Sequence, residues 1–152
     1  MRKIILLADD DTDDTDMFHE ALMEVDPSTV FYRATDGRDA LAMLEKREQE
    51  MPHIIFLDIN MPRMDGWECL AKLKANDTYK NIPILMYSTS AHQRDIDIAM
   101  DLGALCFMTK PSDFKELKKI LAEIITHLDD NLVEAIQHFK DIRSRNVFNC
   151  QP

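Results

Sequence analysis

Polar side chains that could take part in phosphoryl or metal chemistry lie just after short apolar runs in the sequence. Asp9 and Asp10 directly follow one such run, Asp58 follows another and Ser88 follows a third. Lys110 comes shortly after a further apolar run. Carboxylates hold a hard cation such as Mg²⁺, and an ammonium group with a hydroxyl can neutralise charge on a transferring phosphoryl group. These residue types indicate a metal-assisted phosphoryl site.

Asp58 is the carboxylate best suited to act as a nucleophile. Three carboxylates in one cleft repel one another, and at least one of their pKa values rises unless a cation neutralises them. Mg²⁺ commonly takes one or two protein carboxylates together with water and phosphate oxygen. Asp9 and Asp10 belong to an acidic cluster that can supply such ligands, whereas Asp58 stands alone after its apolar run. A lone carboxylate can attack phosphorus and form an acyl phosphate.

The elements that must position these residues alternate regularly along the chain. Apolar or β-branched runs predict strands at residues 4–8, 30–34, 53–57, 83–87 and 104–108. Helical spacing of apolar residues follows each run, with Pro27 ending the first helix and Gly103 capping the fourth. This alternation predicts an α/β fold with a doubly wound parallel sheet. Because ligands bind at the carboxyl ends of such strands, we expect the polar residues to converge in one cleft.

Length, net charge and cysteine content limit the number of domains, the kinds of ligand and the expected cell compartment. The 152 residues suit one globular domain with a small appendage, and a net charge of −10 disfavours nucleic acid and anionic membranes as ligands. The three cysteines are few and odd in number, so we expect no disulfide framework and a reducing cytoplasm. Cys69 and Cys106 lie in apolar stretches and are expected to be small core residues. The first apolar run stops at Asp9, too early for a signal peptide or a membrane span.

Four sequence segments carry a resemblance to a known family. LLADDD (6–11), IIFLDINMPRMDG (54–66), ILMYSTS (84–90) and FMTKP (107–111) resemble two-component response-regulator receiver domains of the single-domain, chemotaxis or phytochrome-regulator type. The resemblance covers roughly residues 1–128. It implies a five-stranded, flavodoxin-like sheet of order 2-1-3-4-5. It also implies phosphorylation by a histidine kinase or a phosphotransfer protein.

The resemblance assigns roles to the acidic end of the site. Asp58 matches the aspartate that accepts the phosphoryl group. Asp10 matches a direct Mg²⁺ ligand, and Asp9 matches the acidic partner that acts through water. Asn60 would lend its backbone carbonyl to the metal.

The resemblance also assigns roles to residues at the ends of the later strands. Ser88 matches the switch hydroxyl, and Lys110 matches the lysine that pairs with the phosphoryl group. The Lys110–Pro111 peptide is expected to be cis, which costs little before proline. Phe107 falls at the position of the switch aromatic, so helix 4, strand 5 and helix 5 are expected to form the signalling face. Thr89 departs from the small residue that often follows the switch hydroxyl, and this departure predicts an altered dephosphorylation rate.

The remaining acids after the first run have a simpler interpretation. Asp13, Asp14 and Asp16 are expected to be solvated carboxylates at a helix N-terminus, where they suit the helix dipole. The methionines are expected to fill the core.

Residues 129–152 form a predicted C-terminal extension of the 1–128 receiver domain. Leu132, Ile136, Phe139 and Ile142 recur at near-helical spacing and predict a further helix. Two interpretations stay open: the helix packs on its own domain or frays, or it mediates homodimerisation or partner binding. The extension is too short for a DNA-binding output domain.

The combined prediction is a cytoplasmic response regulator that signals through protein contacts and catalyses only its own phosphorylation and dephosphorylation. One alternative is a Mg²⁺-dependent phosphatase with an aspartyl nucleophile. Such enzymes usually carry a second acid two residues later, where this chain has Asn60. Another alternative is a metal-binding interaction module that never carries phosphate. The complete set of acceptor and metal residues argues against it.

Overall fold

A computed structural model describes residues 2–46, 49–129, 131–141 and 148–150. Side chains are described for these residues except 137–141 and 148–149. The strands are β1 (Ile4–Ala8), β2 (Val30–Ala34), β3 (Ile54–Leu57), β4 (Ile84–Ser88), β5 (Cys106–Thr109) and β6 (Phe148–Cys150). The helices are α1 (Thr12–Val25), α2 (Gly37–Glu45), α3 (Gly66–Ala75), α4 (Gln93–Asp101), α5 (Phe114–Thr126) and α6 (Leu132–Asp141).

The strands form one sheet of order β2-β1-β3-β4-β5-β6. The first five strands are parallel, which confirms the predicted order 2-1-3-4-5. β6 was not predicted, and it pairs antiparallel with β5. Each residue of β1, β3 and β4 is buried, as expected for strands that are covered on both faces.

Two apolar layers enclose the sheet. One contains buried residues of α2, α3 and α4, including Leu44, Leu70 and Ile96. The other contains buried residues of α1, α5 and α6, including Phe18 and Leu121. This two-sided cover leaves the carboxyl ends of the parallel strands as the edge where polar side chains can gather.

Aspartate side chains begin four of the helices. Each accepts a hydrogen bond from a backbone N–H of the first turn, which satisfies a donor that has no partner within the helix. The capping residues are Asp11, Asp36, Asp65 and Asp113. Gly103 follows the end of α4 with a positive φ of 94°, so its predicted capping position is confirmed.

The C-terminal extension, which comes after α5 in the chain, returns to the sheet and pairs with β5. α6 packs against α5 and β6, and Leu132, Ala135 and Ile136 are buried. The helical prediction is therefore confirmed for residues 132–141, while Ile142 lies outside the described residues. The domain boundary at residue 128 stays a prediction.

The expectation of free cysteines is wrong for two of the three. Cys106 on β5 lies opposite Cys150 on β6, and the two form a disulfide across 44 residues of sequence. Sequence spacing gave no sign of this pairing, because it depends on the return of the chain to the β5 edge. Cys69 is a free, buried thiol, as expected.

Within the described residues, every helix falls short of the length and apolar character that a membrane crossing requires.

Candidate phosphoryl and metal site

Three carboxylates lie together at the carboxyl edge of the sheet. Asp9, Asp10 and Asp58 each offer a carboxylate oxygen, and these oxygens lie within 4.8 Å of one another. Asp9 and Asp58 are buried, whereas Asp10 is exposed to solvent. The cluster therefore has an inner wall of two buried acids and an open side.

Backbone hydrogen bonds fix the two buried acids. The Asp9 N–H donates to Ala34 O (3.0 Å) and the Asp58 N–H donates to Ala8 O (2.9 Å), which continues the parallel ladder past the strand ends. One carboxylate oxygen of each acid also accepts a backbone N–H. Asp9 Oδ1 accepts from Asp11 (2.9 Å), and Asp58 Oδ1 accepts from Ile59 (2.8 Å). The Oδ2 atoms are the ones left to face Lys110.

Lys110 carries its ammonium group into this cluster from the end of β5. Its side chain is 8% exposed, and Nζ lies 2.8 Å from Asp9 Oδ2 and 3.6 Å from Asp58 Oδ2. The Lys110 N–H donates to Ser88 O (2.6 Å), which ties the β5 end to the β4 end. Nζ also lies 5.7 Å from the centre of the Tyr87 ring, within the range of a cation–π contact.

The site perturbs the acid–base behaviour of its members in opposite ways. Burial raises the pKa of Asp58 to about 7, and the negative charge of Asp9 adds to the rise, while Lys110 opposes it. Burial alone would lower the pKa of Lys110, but its hydrogen bond to Asp14 and the close carboxylate of Asp9 raise the pKa above the ordinary value. Asp58 is thus a carboxyl group whose negative charge is costly without a further cation.

The loop between β3 and α3 begins at Asp58 and folds back close to it. The Gly66 N–H donates to Ile59 O (2.8 Å) and folds the loop back on itself. Arg63 adopts a positive φ of 63° and pairs with the buried Asp36 at 2.6 Å. Burial alone would raise the pKa of Asp36, but hydrogen bonds from the Asp39 N–H and from Arg63 hold it below its ordinary value. Asn60 lies exposed on this loop, next to the cluster in sequence.

The predicted switch residues occupy the ends of β4 and β5. Ser88 is buried, and its Oγ accepts the Ser90 N–H at 3.3 Å. Phe107 is fully buried in the layer that α4 covers. Thr89 is exposed at the rim of the site. The expected cis peptide at Lys110–Pro111 is wrong, because this peptide bond is trans.

Asp14 is a site residue that the sequence interpretation missed. It was expected to be a solvated carboxylate, but its Oδ2 accepts a hydrogen bond from Lys110 Nζ at 2.8 Å. The one local signal is that Asp14 falls in the first turn of the helix that begins just after the acidic cluster, close to the end of β1. Asp16, in contrast, forms an ion pair with Arg33, with 2.8 Å between Asp16 Oδ1 and the guanidinium, and is not part of the cluster.

The donor set fits a hard divalent cation. Asp9 Oδ2 is buried and receives no properly oriented hydrogen bond from the described residues, although it lies at ion-pair distance from Lys110 Nζ. A buried carboxylate oxygen without a hydrogen bond is costly, and a cation would satisfy it. Oxygen ligands from two or three carboxylates suit Mg²⁺ or Mn²⁺ better than a soft metal.

Comparison with known proteins assigns the family. Residues 5–122 match the response regulator receiver domain family, so the chain belongs to it. The response regulator Rcp1 of Synechocystis is 33% identical over 128 residues, which cover 80% of this chain and 86% of that protein.

Solved structures agree with this assignment. The crystal structure of the phosphorylated cyanobacterial phytochrome response regulator RcpA matches with a TM-score of 0.77 and 32% identity, and covers 84% of this chain and 94% of its own. The crystal structure of the Mn²⁺-bound form of Rcp1 matches with a TM-score of 0.71 and 32% identity. The match covers 82% of this chain and 92% of the Rcp1 chain. The chain is a receiver domain of two-component signalling, similar to single-domain response regulators.

Proposed function

We propose that Asp58 accepts a phosphoryl group from a histidine kinase or phosphotransfer protein, and that the phosphorylated chain signals through protein–protein contacts. The observation that carries this proposal is the position of Asp58: a buried carboxylate beside Asp9, with Lys110 Nζ at 3.6 Å. Asp58 Oδ2 would attack phosphorus of a phosphohistidine. The bond from phosphorus to the imidazole nitrogen would break, and its electron pair would return to the imidazole.

Asp9, Asp10, Asp58 and the Asn60 backbone carbonyl are the residues that we propose would hold Mg²⁺. When bound, the cation would neutralise charge on the phosphoryl oxygens and lower the cost of ionised Asp58. Lys110 would place a second positive charge on the same group. Its ammonium group lies in the buried part of the site, 3.6 Å from Asp58 Oδ2, where a positive charge is worth more than in bulk water.

Ser88 and Phe107 are proposed to transmit the change. The Ser88 hydroxyl would donate a hydrogen bond to the new phosphoryl group and give up its contact with the Ser90 N–H. Phe107, buried between β5 and α4, would repack in response. These movements would shift the α4–β5–α5 face between two populations that a partner distinguishes.

The proposed setting is the cytoplasm, with no nucleic acid or membrane ligand, a downstream protein of unknown identity and homodimerisation as an open alternative. The net charge of −10 supports this choice, because anionic ligands would be repelled. The Cys106–Cys150 disulfide would then belong to the few cytoplasmic disulfides that form and break with redox conditions. We propose no turnover of an external substrate.

The direct test is incubation with acetyl phosphate and Mg²⁺, followed by intact mass spectrometry. The expected result is a gain of one phosphoryl group that does not form when EDTA is present during the incubation and is absent in Asp58→Asn. Asp13→Asn is the matched control, because it removes an exposed aspartate charge from the same end of the molecule. A gain that persists in Asp58→Asn, or no gain in the native protein, would contradict the proposal. Turnover of a general phosphatase substrate would instead favour a phosphatase.

A further inference from the structure

The ammonium group of Lys110 lies close to three carboxylates of the site. Its Nζ lies 2.8 Å from Asp9 Oδ2, 2.8 Å from Asp14 Oδ2 and 3.6 Å from Asp58 Oδ2. The residue proposed to receive the phosphoryl group is thus the most distant of the three carboxylates. A lysine held by two nearer anions must weaken one of these contacts before it can move fully onto a third.

Asp14 is the nearer partner that can be released. The Asp9 side chain is fully buried and its other oxygen is fixed by the Asp11 N–H, so loss of Lys110 would leave a buried anion with less compensation. The Asp14 side chain is 33% exposed, so water can replace the lysine there. Asp14 also sits in the first turn of α1, where the helix dipole stabilises its charge without Lys110.

We propose that Asp14 is a positioning residue that holds Lys110 away from Asp58 in the unphosphorylated protein and thereby slows phosphoryl transfer. The proposal rests on the proposed phosphorylation of Asp58. The new phosphoryl group brings nearly two negative charges beside Asp58. Lys110 then exchanges its contact with Asp14 for one with the phosphoryl oxygens, and Asp14 turns to solvent. The strength of the Asp14 contact sets how readily this exchange occurs.

The substitution Asp14→Asn removes the competing charge and keeps the side-chain shape. At saturating Mg²⁺, we expect the rate constant for phosphorylation by acetyl phosphate to rise about two- to fivefold, the upper part of the range for loss of one partly exposed ion pair. We expect beryllofluoride, a phosphoryl mimic, to bind tighter by a similar factor. This second readout reports on Lys110 and the mimic without any transfer step.

Two controls separate the lysine from the general field of the site. Asp13→Asn removes the same charge from the same helical turn, but Asp13 is exposed, so both readouts should stay near native values. Asp14→Glu keeps the charge and should restore slow phosphorylation. In a Lys110→Ala background, Asp14→Asn should change neither readout, because the residue through which it acts is missing.

The outcomes distinguish this inference from the proposed function. If the native protein gains no phosphoryl group, the proposed function fails. If it does gain one, but Asp14→Asn matches Asp13→Asn or reacts more slowly than native, the inference alone is overturned. An Asp14→Asn effect that persists in the Lys110→Ala background also overturns it. Thermal melts of each variant would show whether a slow variant is simply unfolded.

Discussion

The carboxyl edge of the parallel sheet and the outer edge at β5–β6 are built in different ways. At the carboxyl edge, Asp9 and Asp58 directly follow buried strands, and backbone hydrogen bonds that continue the ladder fix their places. At the β5–β6 edge, three residues from the far end of the chain pair with β5 through antiparallel contacts and one disulfide. The comparison teaches that a site attached to core strands is specified locally. An edge made by a returning segment is specified by long-range contacts.

This difference also separates what stabilises each region. The carboxyl edge gathers Asp9, Asp14 and Asp58 around Lys110, with Asp10 beside Asp9 and Asp58, and burial makes the ionised form of Asp58 unfavourable until a further cation binds. The β5–β6 edge gains from apolar burial at α6 and from a cross-link that restricts the unfolded chain. The carboxyl edge therefore carries the reactive and metal-binding side chains, whereas the β5–β6 edge stabilises the fold.

The largest expected effect comes from breaking the cross-link. Cys150→Ser opens a loop of 44 residues, and we expect the free energy of unfolding to fall by about 4 kcal/mol in non-reducing buffer. Denaturant titration with and without reductant measures the loss. Metal affinity should not change, because β4 and β5 separate β6 from the acids on β1 and β3.

Cys69→Ala provides the matched control for this experiment. It removes a buried thiol that is outside the disulfide, so its stability should still depend on reductant. Thiol labelling of the unfolded, non-reduced native protein should modify Cys69 alone. Labelling of three cysteines would mean that the cross-link does not form, and the contrast between the two edges would lose its basis.

The next effect tests how tightly the carboxyl edge is packed. An added Cβ at Gly66 would lie 2.2 Å from Asp58 O, a backbone atom that cannot move without shifting the acid itself. We expect Gly66→Ala to cost about 3 kcal/mol and to weaken Mn²⁺ binding. Chemical denaturation and calorimetric metal titration would check both effects.

Gly37→Ala is a fair comparison, because Gly37 also begins a helix. Its added Cβ would meet the Met64 side chain, which is flexible and can give way. We expect a smaller loss of stability than for Gly66→Ala. Equal losses of stability at the two positions would contradict the expectation that the backbone at Asp58 yields less than the Met64 side chain.

The smallest effect concerns the charge of Asp58 in the absence of metal. Its pKa lies near 7 in the folded protein against an ordinary value of 3.8, so the folded state holds a proton that the unfolded state has lost. Stability should therefore fall as pH rises from about 4 to 7. With EDTA at pH 8, Asp58→Asn should be more stable than native by roughly 2 kcal/mol after allowance for solvent screening, and the gain should vanish near pH 4.

Asp13→Asn serves as the control for this pH series, and added Mg²⁺ should reverse the ranking of Asp58→Asn and the native protein. A gain in stability that is the same at pH 4 and pH 8 would contradict the raised pKa. Thermal unfolding across the pH range is sufficient to make the measurement.

Much of the site could be predicted because each residue is placed by its own strand. Asp9 and Asp58 follow all-apolar runs, and parallel strands deliver their carboxyl ends to one edge whatever the loop lengths. Asp14 could not be placed in this way. Its contact with Lys110 depends on the angle at which α1 leaves β1 and on the reach of a side chain from β5, neither of which is local in sequence.

The trans peptide at Lys110–Pro111 and the β6 strand mark the same limit. Before proline the two peptide isomers differ by only about 1 kcal/mol, so the surroundings decide between them. A three-residue strand such as β6 has too little pattern to be recognised, and its formation depends on a vacant edge of β5.

By itself, the sequence determined the alternation of strands and helices, the burial of the central strands and the set of polar residues at their ends. Hydrophobic periodicity and helix caps are local properties, so they can be read without coordinates. Tertiary structure alone decided which carboxylate holds Lys110 and how Cys106 meets Cys150. Both depend on distances of a few ångströms between residues that are 44 to 96 positions apart, and packing fixes such distances.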